Sequence, residues 1–151
     1  VFFIFISLFH PPQSIACVES LSWGMDLSNV EKHLGVSLLP VKRELNNEGL
    51  FEVSNVQLSG LPVQRLSVLF EKENGLKQLA YEMDYEYMTE VLAALRYRYG
   101  SPVSTNVESQ GGSSQQQWIW HTGEDIITGI KSDKKPFLLS YRPSRLELDF
   151  L

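Results

Sequence analysis

Three histidines are the first residues to test for chemistry, because imidazole titrates near neutral pH and binds metals. His10, His33 and His121 stand far apart in the chain. None forms an HxH, HExxH or Cys-His pattern, so no metal site is expected. Acidic pairs come next: Glu71 with Glu73, Glu82 with Asp84, and Glu124 with Asp125. Hydrolysis by carboxylates needs two of them in one cleft with separated pKa values. These pairs fall at strand ends and turns, where solvated charge is the ordinary reading. No Gly-x-Ser-x-Gly elbow and no phosphate-cradling glycine loop occurs, and Gly111-Gly112 has no lysine after it. No catalytic residue, metal or cofactor is therefore assigned, and a non-enzyme is expected.

Aromatic residues offer a different chemistry, that of contact surfaces. Tyr81, Tyr85, Tyr87, Tyr97 and Tyr99 gather around one predicted helix, and Trp118 and Trp120 share one strand face. Most such rings pack a core, yet Tyr and Trp are also favoured at interfaces. Tyr97 lies off the apolar stripe of its helix, between Arg96 and Arg98. The candidate binding residues are thus Tyr97, Arg96, Trp118, Trp120 and His121.

The chain has 151 residues, 43% hydrophobic and 21% charged, which suits one folded domain. Lys and Arg number 13 against 18 acids, a formal charge of -5. That balance disfavours nucleic acid and any electrostatic hold on an anionic membrane. The opening differs from the rest. Val1-Phe2-Phe3-Ile4-Phe5-Ile6-Ser7-Leu8-Phe9 is almost wholly apolar, His10-Pro11-Pro12 breaks it, and Ser14-Ile15-Ala16 precedes Cys17. This reads as a signal peptide over residues 1–16, followed by one domain over 17–151, although a basic n-region is missing. A buried N-terminal strand is the alternative. Cys17 is the only cysteine, so no internal disulfide can form. Ile15-Ala16-Cys17 also resembles the end of a lipobox, which makes Cys17 a candidate lipid anchor; plain cleavage after Ala16 is the other reading. The expected location is the periplasm, with anchoring at the outer membrane as a variant.

The elements follow from spacing. Leu27, Val30 and Leu34 mark a short helix capped by Asp26 or Ser28 and ended by Gly35. Val36 to Gly49 reads as a loop or a second short helix. Phe51 and Val53 alternate, then Val56 and Leu58 take the opposite phase, so a bulge is expected near Ser54-Asn55. Leu66, Val68 and Phe70 form one strand face and Leu79, Tyr81 and Met83 the next, with Asn74-Gly75 as a type I′ turn. Met88, Val91, Leu92, Leu95 and Tyr99 make the stripe of a main helix over 85–99, closed by Gly100. Ser104 to Gln117 is polar and rich in Ser, Gln and Gly, and Gly111-Gly112-Ser113-Ser114 within it reads as a flexible loop tip. Trp118-Ile119-Trp120, Ile126 to Ile130 and Phe137 to Tyr141 complete a second strand block. The alternating run Leu146, Leu148, Phe150 reads as an edge strand or tail.

These elements predict an α+β fold of order α-βββ-α-βββ: one mostly antiparallel sheet of about six strands with helices packed on one face. The layout resembles small exported bacterial domains built on a helix-plus-three-strand unit. Examples are the outer-membrane assembly lipoproteins and the tandem units of β-lactamase inhibitor proteins. Trp23-Gly24-Met25, Gly60-Leu61-Pro62-Val63 and Tyr99-Gly100-Ser101-Pro102 carry the likeness, over most of residues 20–142. It implies a fold and a periplasmic setting and brings no functional residue with it. The expected function is a non-enzymatic envelope protein that binds another macromolecule, with a protein as the partner. The alternatives are an inhibitor of a secreted or periplasmic enzyme and a small-molecule binder. Membrane contact is expected only through the signal peptide or a lipid on Cys17.

Overall fold

The computed structural model describes residues 21–41 and 49–144. The proposed signal peptide, Cys17, His10 and the run Leu146 to Phe150 lie outside the described residues.

Among the described residues there are two α-helices and eight strands. Helix α1 spans Leu27–Leu34, and the Asp26 side chain accepts from the Asn29 amide at 2.8 Å, leaving Gly35 to end it at φ 67°. Asp26, rather than Ser28, supplies the cap. Loss of that acceptor in Asp26→Ala is expected to cost about 1 kcal/mol, read as a drop in the urea midpoint. A 3₁₀ turn over Tyr85–Tyr87 leads into helix α2, Met88–Tyr99. Its Val91, Leu92 and Leu95 are buried, as the stripe predicts.

The strands are β1 (Leu39–Pro40), β2 (Gly49–Leu58), β3 (Leu61–Glu71), β4 (Gly75–Met83), β5 (Ser104–Gln110), β6 (Ser113–His121), β7 (Asp125–Ser132) and β8 (Phe137–Pro143). They form one sheet of eight strands in the order β1-β2-β3-β4-β8-β7-β6-β5, every pairing antiparallel.

This corrects the expectation of about six strands with helices packed on one face. Two segments without apolar alternation nevertheless pair. Val36 to Gly49 contributes β1, and the polar stretch from Ser104 contributes β5 and the first half of β6. Ser104–Gln110 matches Ser113–Ile119 residue by residue around Gly111-Gly112, whose φ values of 59° and 82° suit a tight two-residue turn. That polar stretch, to which the sequence assigned no strand, is therefore a hairpin with Gly111-Gly112 at its tip. Both of its faces are mostly exposed beyond the core, which explains the missing period-2 signal. Eight strands about 4.8 Å apart make a sheet about 34 Å wide. Helices of 8 and 12 residues cannot roof that width, so the fold is mostly sheet.

The core lies on one face. Phe51, Val68, Phe70, Leu79, Tyr81, Met83, Trp118, Trp120, Ile127, Phe137, Leu139 and Tyr141 all point to it and are buried. Phe51 meets Phe70 edge to face at 5.6 Å, and Trp118 meets Phe137 at 6.5 Å. Gly129 leaves room there, since a Cβ would come 3.2 Å from the Phe137 ring and 3.6 Å from Leu92. Asn55 stands at φ 57°, and the buried positions change phase there in β2 and at Gln64-Arg65 in β3. The phase change is shared by both strands, and the β2–β3 register runs through it unshifted, so it is not the bulge expected near Ser54-Asn55.

The two halves meet on their last strands. In the β4–β8 pairing, Leu79 lies opposite Tyr141, Ala80 opposite Ser140, and Tyr81 opposite Leu139. Leu79-Ala80-Tyr81 and Leu139-Ser140-Tyr141 are therefore related by a local twofold axis. Their tyrosine rings pack edge to face at 6.0 Å. This short Leu-x-Tyr correspondence was not visible as a sequence repeat.

The segment before α1 docks on the start of β4. The Gly24 amide donates to the Leu76 carbonyl (3.1 Å) and the Leu76 amide donates to the Met25 carbonyl (2.8 Å). Trp23 Nε1 donates to Asp125 Oδ1 at 2.6 Å, tying this segment to the start of β7.

Candidate functional site

Strand side chains alternate between faces, so each strand that feeds the core shows its remaining residues to the other side. On the second face, β3 presents Arg65, Ser67 and Leu69; β4 presents Gln78, Ala80 and Glu82; β8 presents Leu138, Ser140 and Arg142; β7 presents Ile126, Thr128 and Ile130; β6 presents Gln117 and Ile119. Leu69, Ala80, Leu138, Ile126, Ile130 and Ile119 are half-buried, and none is fully buried. They form an aliphatic strip across the middle strands, with Ser and Thr between.

Charges rim this strip. Arg65 lies directly across from Glu82, gives it two hydrogen bonds of 2.8 Å, and reaches Glu52 at 3.8 Å. Glu82 and Glu52 hold the Arg65 guanidinium above its usual pKa, chiefly through the Glu82 hydrogen bonds. These groups are exposed, so the pairs contribute little to stability. Lys77 binds Glu71 at 2.9 Å. An open groove of about 420 Å³ runs between Leu69, Gln78, Ile126 and Arg142. The described Phe, Tyr and Trp rings of the strands all belong to the core face.

The residues singled out from sequence do not converge. Trp118 and Trp120 are core residues, 5% and 1% exposed, and the Trp120 indole donates to the Gly100 carbonyl at 3.0 Å. Tyr97 projects from α2 with 91% exposure, and Arg96 is exposed beside it. Arg98 lies 5.4 Å from the Tyr99 ring. His121 is exposed at the end of β6, on the second face opposite Ile126. His33 Nδ1 sits 2.7 Å from the Asn29 carbonyl oxygen of its own helix.

The acidic pairs are occupied locally. Glu71 holds Lys77, Glu82 holds Arg65, Asp84 Oδ1 accepts from the Glu86 amide (3.2 Å), and Asp125 accepts from Trp23. Among the described residues no group of three or more His, Cys, Asp or Glu side chains could hold a metal ion. No described helix is long and apolar enough to cross a membrane.

Sequence reasoning named none of the aliphatic residues of the second face because it ranked aromatic residues first. The signal was available: Ala80, Ser140, Thr128 and Leu138 sit at the alternate positions of strands already assigned to the core.

No protein-family model and no curated protein matches the chain. Among solved structures, it is similar to the crystal structure of a DUF4309 family protein (YjgB) from Bacillus subtilis subsp. subtilis str. 168. The two share 10% sequence identity over 78% of this chain and 77% of that one, with a TM-score of 0.47. A likeness of that size carries no argument about function.

Proposed function

We propose that the protein is a non-enzymatic, exported binding domain that receives a partner protein on the second face of its sheet. The observation that carries this reading is the aliphatic strip of Leu69, Ala80, Leu138, Ile126 and Ile119, half-exposed across five strands and rimmed by Arg65, Glu82, Glu71 and Lys77. An apolar centre with a charged rim is the anatomy of a protein interface. The partner it fits presents a flat apolar patch with its own ring of charge. Ser140 and Thr128 in the centre add hydrogen bonding without a desolvated charge.

The apolar run over 1–9 and the Ser14-Ile15-Ala16-Cys17 segment support a periplasmic setting. Mass spectrometry of the purified protein is expected to find a chain that begins at Cys17. Retention of residues 1–16 would overturn export.

The binding test uses charge at the centre of the strip. Thr128→Arg places a cation among Ile119, Ile126 and Ile130, and Ala80→Arg places one between Ser67 and Ser140, both away from the core face. Partners recovered by affinity purification from an envelope extract are identified by mass spectrometry and then purified. The variants are expected to weaken binding of such a partner by at least about tenfold, or 1.4 kcal/mol, with the thermal midpoint little changed. Full affinity in both variants would reject the face.

A further inference from the structure

Three lysines of this acidic chain converge on one hollow. Lys131 at the end of β7, and Lys134 and Lys135 in the turn to β8, line a depression of about 500 Å³ together with Asp84, Tyr85 and Asp133. Lys131 shares the strand face of Ile127 and Gly129, so the hollow lies on the opposite side of the sheet from the aliphatic strip.

Charge there is unbalanced. Among the described residues, no carboxylate lies within salt-bridge distance of Lys131, Lys134 or Lys135, whereas Arg65 and Lys77 are both paired. The two nearby acids are spent on other donors. Asp133 accepts from the Ser114 amide at 2.9 Å and from its hydroxyl at 3.3 Å. Asp84 accepts from the Glu86 amide at 3.2 Å. Three lysines thus outnumber the two carboxylates that line the hollow, and none of the three is held by either of them.

The arrangement is held in advance. The Lys135 amide donates to the Ser132 carbonyl at 3.4 Å, and Ser114 anchors the turn to the β5–β6 hairpin through Asp133. Fixing the turn before binding removes part of the ordering cost. Tyr85 is 60% exposed, and the Lys131 ammonium lies 5.5 Å from its ring centroid. The ring offers a flat apolar platform beside the cations.

We infer that this hollow binds a small soluble anion: a phosphate or carboxylate group carried on a compact body with an apolar face, such as a sugar phosphate. The lysines neutralise the anionic group and Tyr85 stacks against the body. The volume falls within the range of small-molecule sites. The inference does not depend on the partner proposed for the second face.

Calorimetric titration of the full chain tests it, with glucose 6-phosphate, inorganic phosphate and neutral glucose as probes. Glucose 6-phosphate is expected to bind more tightly than phosphate, and glucose not at all. The triple variant Lys131→Met/Lys134→Gln/Lys135→Gln should weaken glucose 6-phosphate at least about tenfold, while the control Lys72→Gln leaves it unchanged. Tyr85→Ala should reduce the advantage of glucose 6-phosphate over phosphate. Circular dichroism establishes that each variant is folded. Absence of binding at about 10 mM probe, equal loss in the control, or binding only to phosphatidylglycerol vesicles would each overturn the assignment.

Discussion

Gly75→Ala is expected to destabilise the protein by about 3 kcal/mol or more, from strain of about 1–2 kcal/mol and two weakened hydrogen bonds of about 1 kcal/mol each. Gly75 opens β4 at φ 63°, a region that residues with a side chain rarely occupy. A Cβ there would collide with the Gly24 carbonyl oxygen and come within 2.6 Å of both the Gly24 carbonyl carbon and the Met25 oxygen. All three are backbone atoms, so no side chain can swing aside. The chain could yield only by breaking the bonds Gly24 and Met25 make with Leu76. Gly111→Ala is the matched control: φ is 59° and a Cβ there meets nothing within 4 Å. It should lose only the conformational strain, about 1–2 kcal/mol. Urea denaturation of both variants measures the difference, and equal losses would show that the close approach of residues 24 and 75 is not rigid.

Trp120→Ala should cost about 4 kcal/mol, because it empties a large core site. Trp120 is 1% exposed. Trp120→Phe separates packing from hydrogen bonding. It keeps most of the ring volume but removes the donor to the Gly100 carbonyl, which closes α2. A lost partner for a part-buried carbonyl costs about 1–3 kcal/mol. The local signature should appear in hydrogen exchange. The Gly100 amide, which donates to the Arg96 carbonyl at 2.9 Å, should exchange faster in Trp120→Phe than in the parent chain. Unchanged exchange with an unchanged urea midpoint would mean that the indole bond does not secure the helix end.

Which parts of the molecule could be read beforehand follows from where water reaches. The β3–β4 hairpin was legible because one face is buried and the other wet, so Leu66, Val68, Phe70, Leu79, Tyr81 and Met83 alternate cleanly. Helix α2 was legible for the same reason at helical period. The turn between them was only half legible. Asn74-Gly75 suggested a two-residue turn with two positive φ angles, yet Glu71 pairs with Gly75 and only Gly75 has positive φ. The loop is therefore Lys72 to Asn74, and the register shifts beyond Leu69 to absorb it. Strand β5 was illegible because Thr105 to Ser109 is exposed on both faces. Its partner strand and the Gly111-Gly112 turn specify it, and neither shows in the hydrophobic pattern.

The candidate site was less legible than the fold. Tryptophan at alternate positions fits a core and an interface equally well, and here Trp118 and Trp120 belong to the core. Small aliphatic and hydroxyl residues on the second face resemble ordinary strand filler until the pairing places them side by side. No motif marks Lys134 and Lys135, and only the fold brings Tyr85 to their hollow, 46 positions before Lys131 along the chain.

The position of β8 bears on how the protein is made. The outer strands are β1, the first described, and β5, whereas β8, which joins the halves by pairing with β4, is the last one described, Phe137–Pro143. A ribosome releases it after every other described strand. Until then β4 and β7 each have an open edge, with Tyr81 and Ile127 lacking their neighbours on β8. The nascent chain must keep two incomplete meanders from pairing with the wrong partner. A stop codon at position 137 should therefore produce not a shortened version of the fold but two unsealed pieces and an aggregating product.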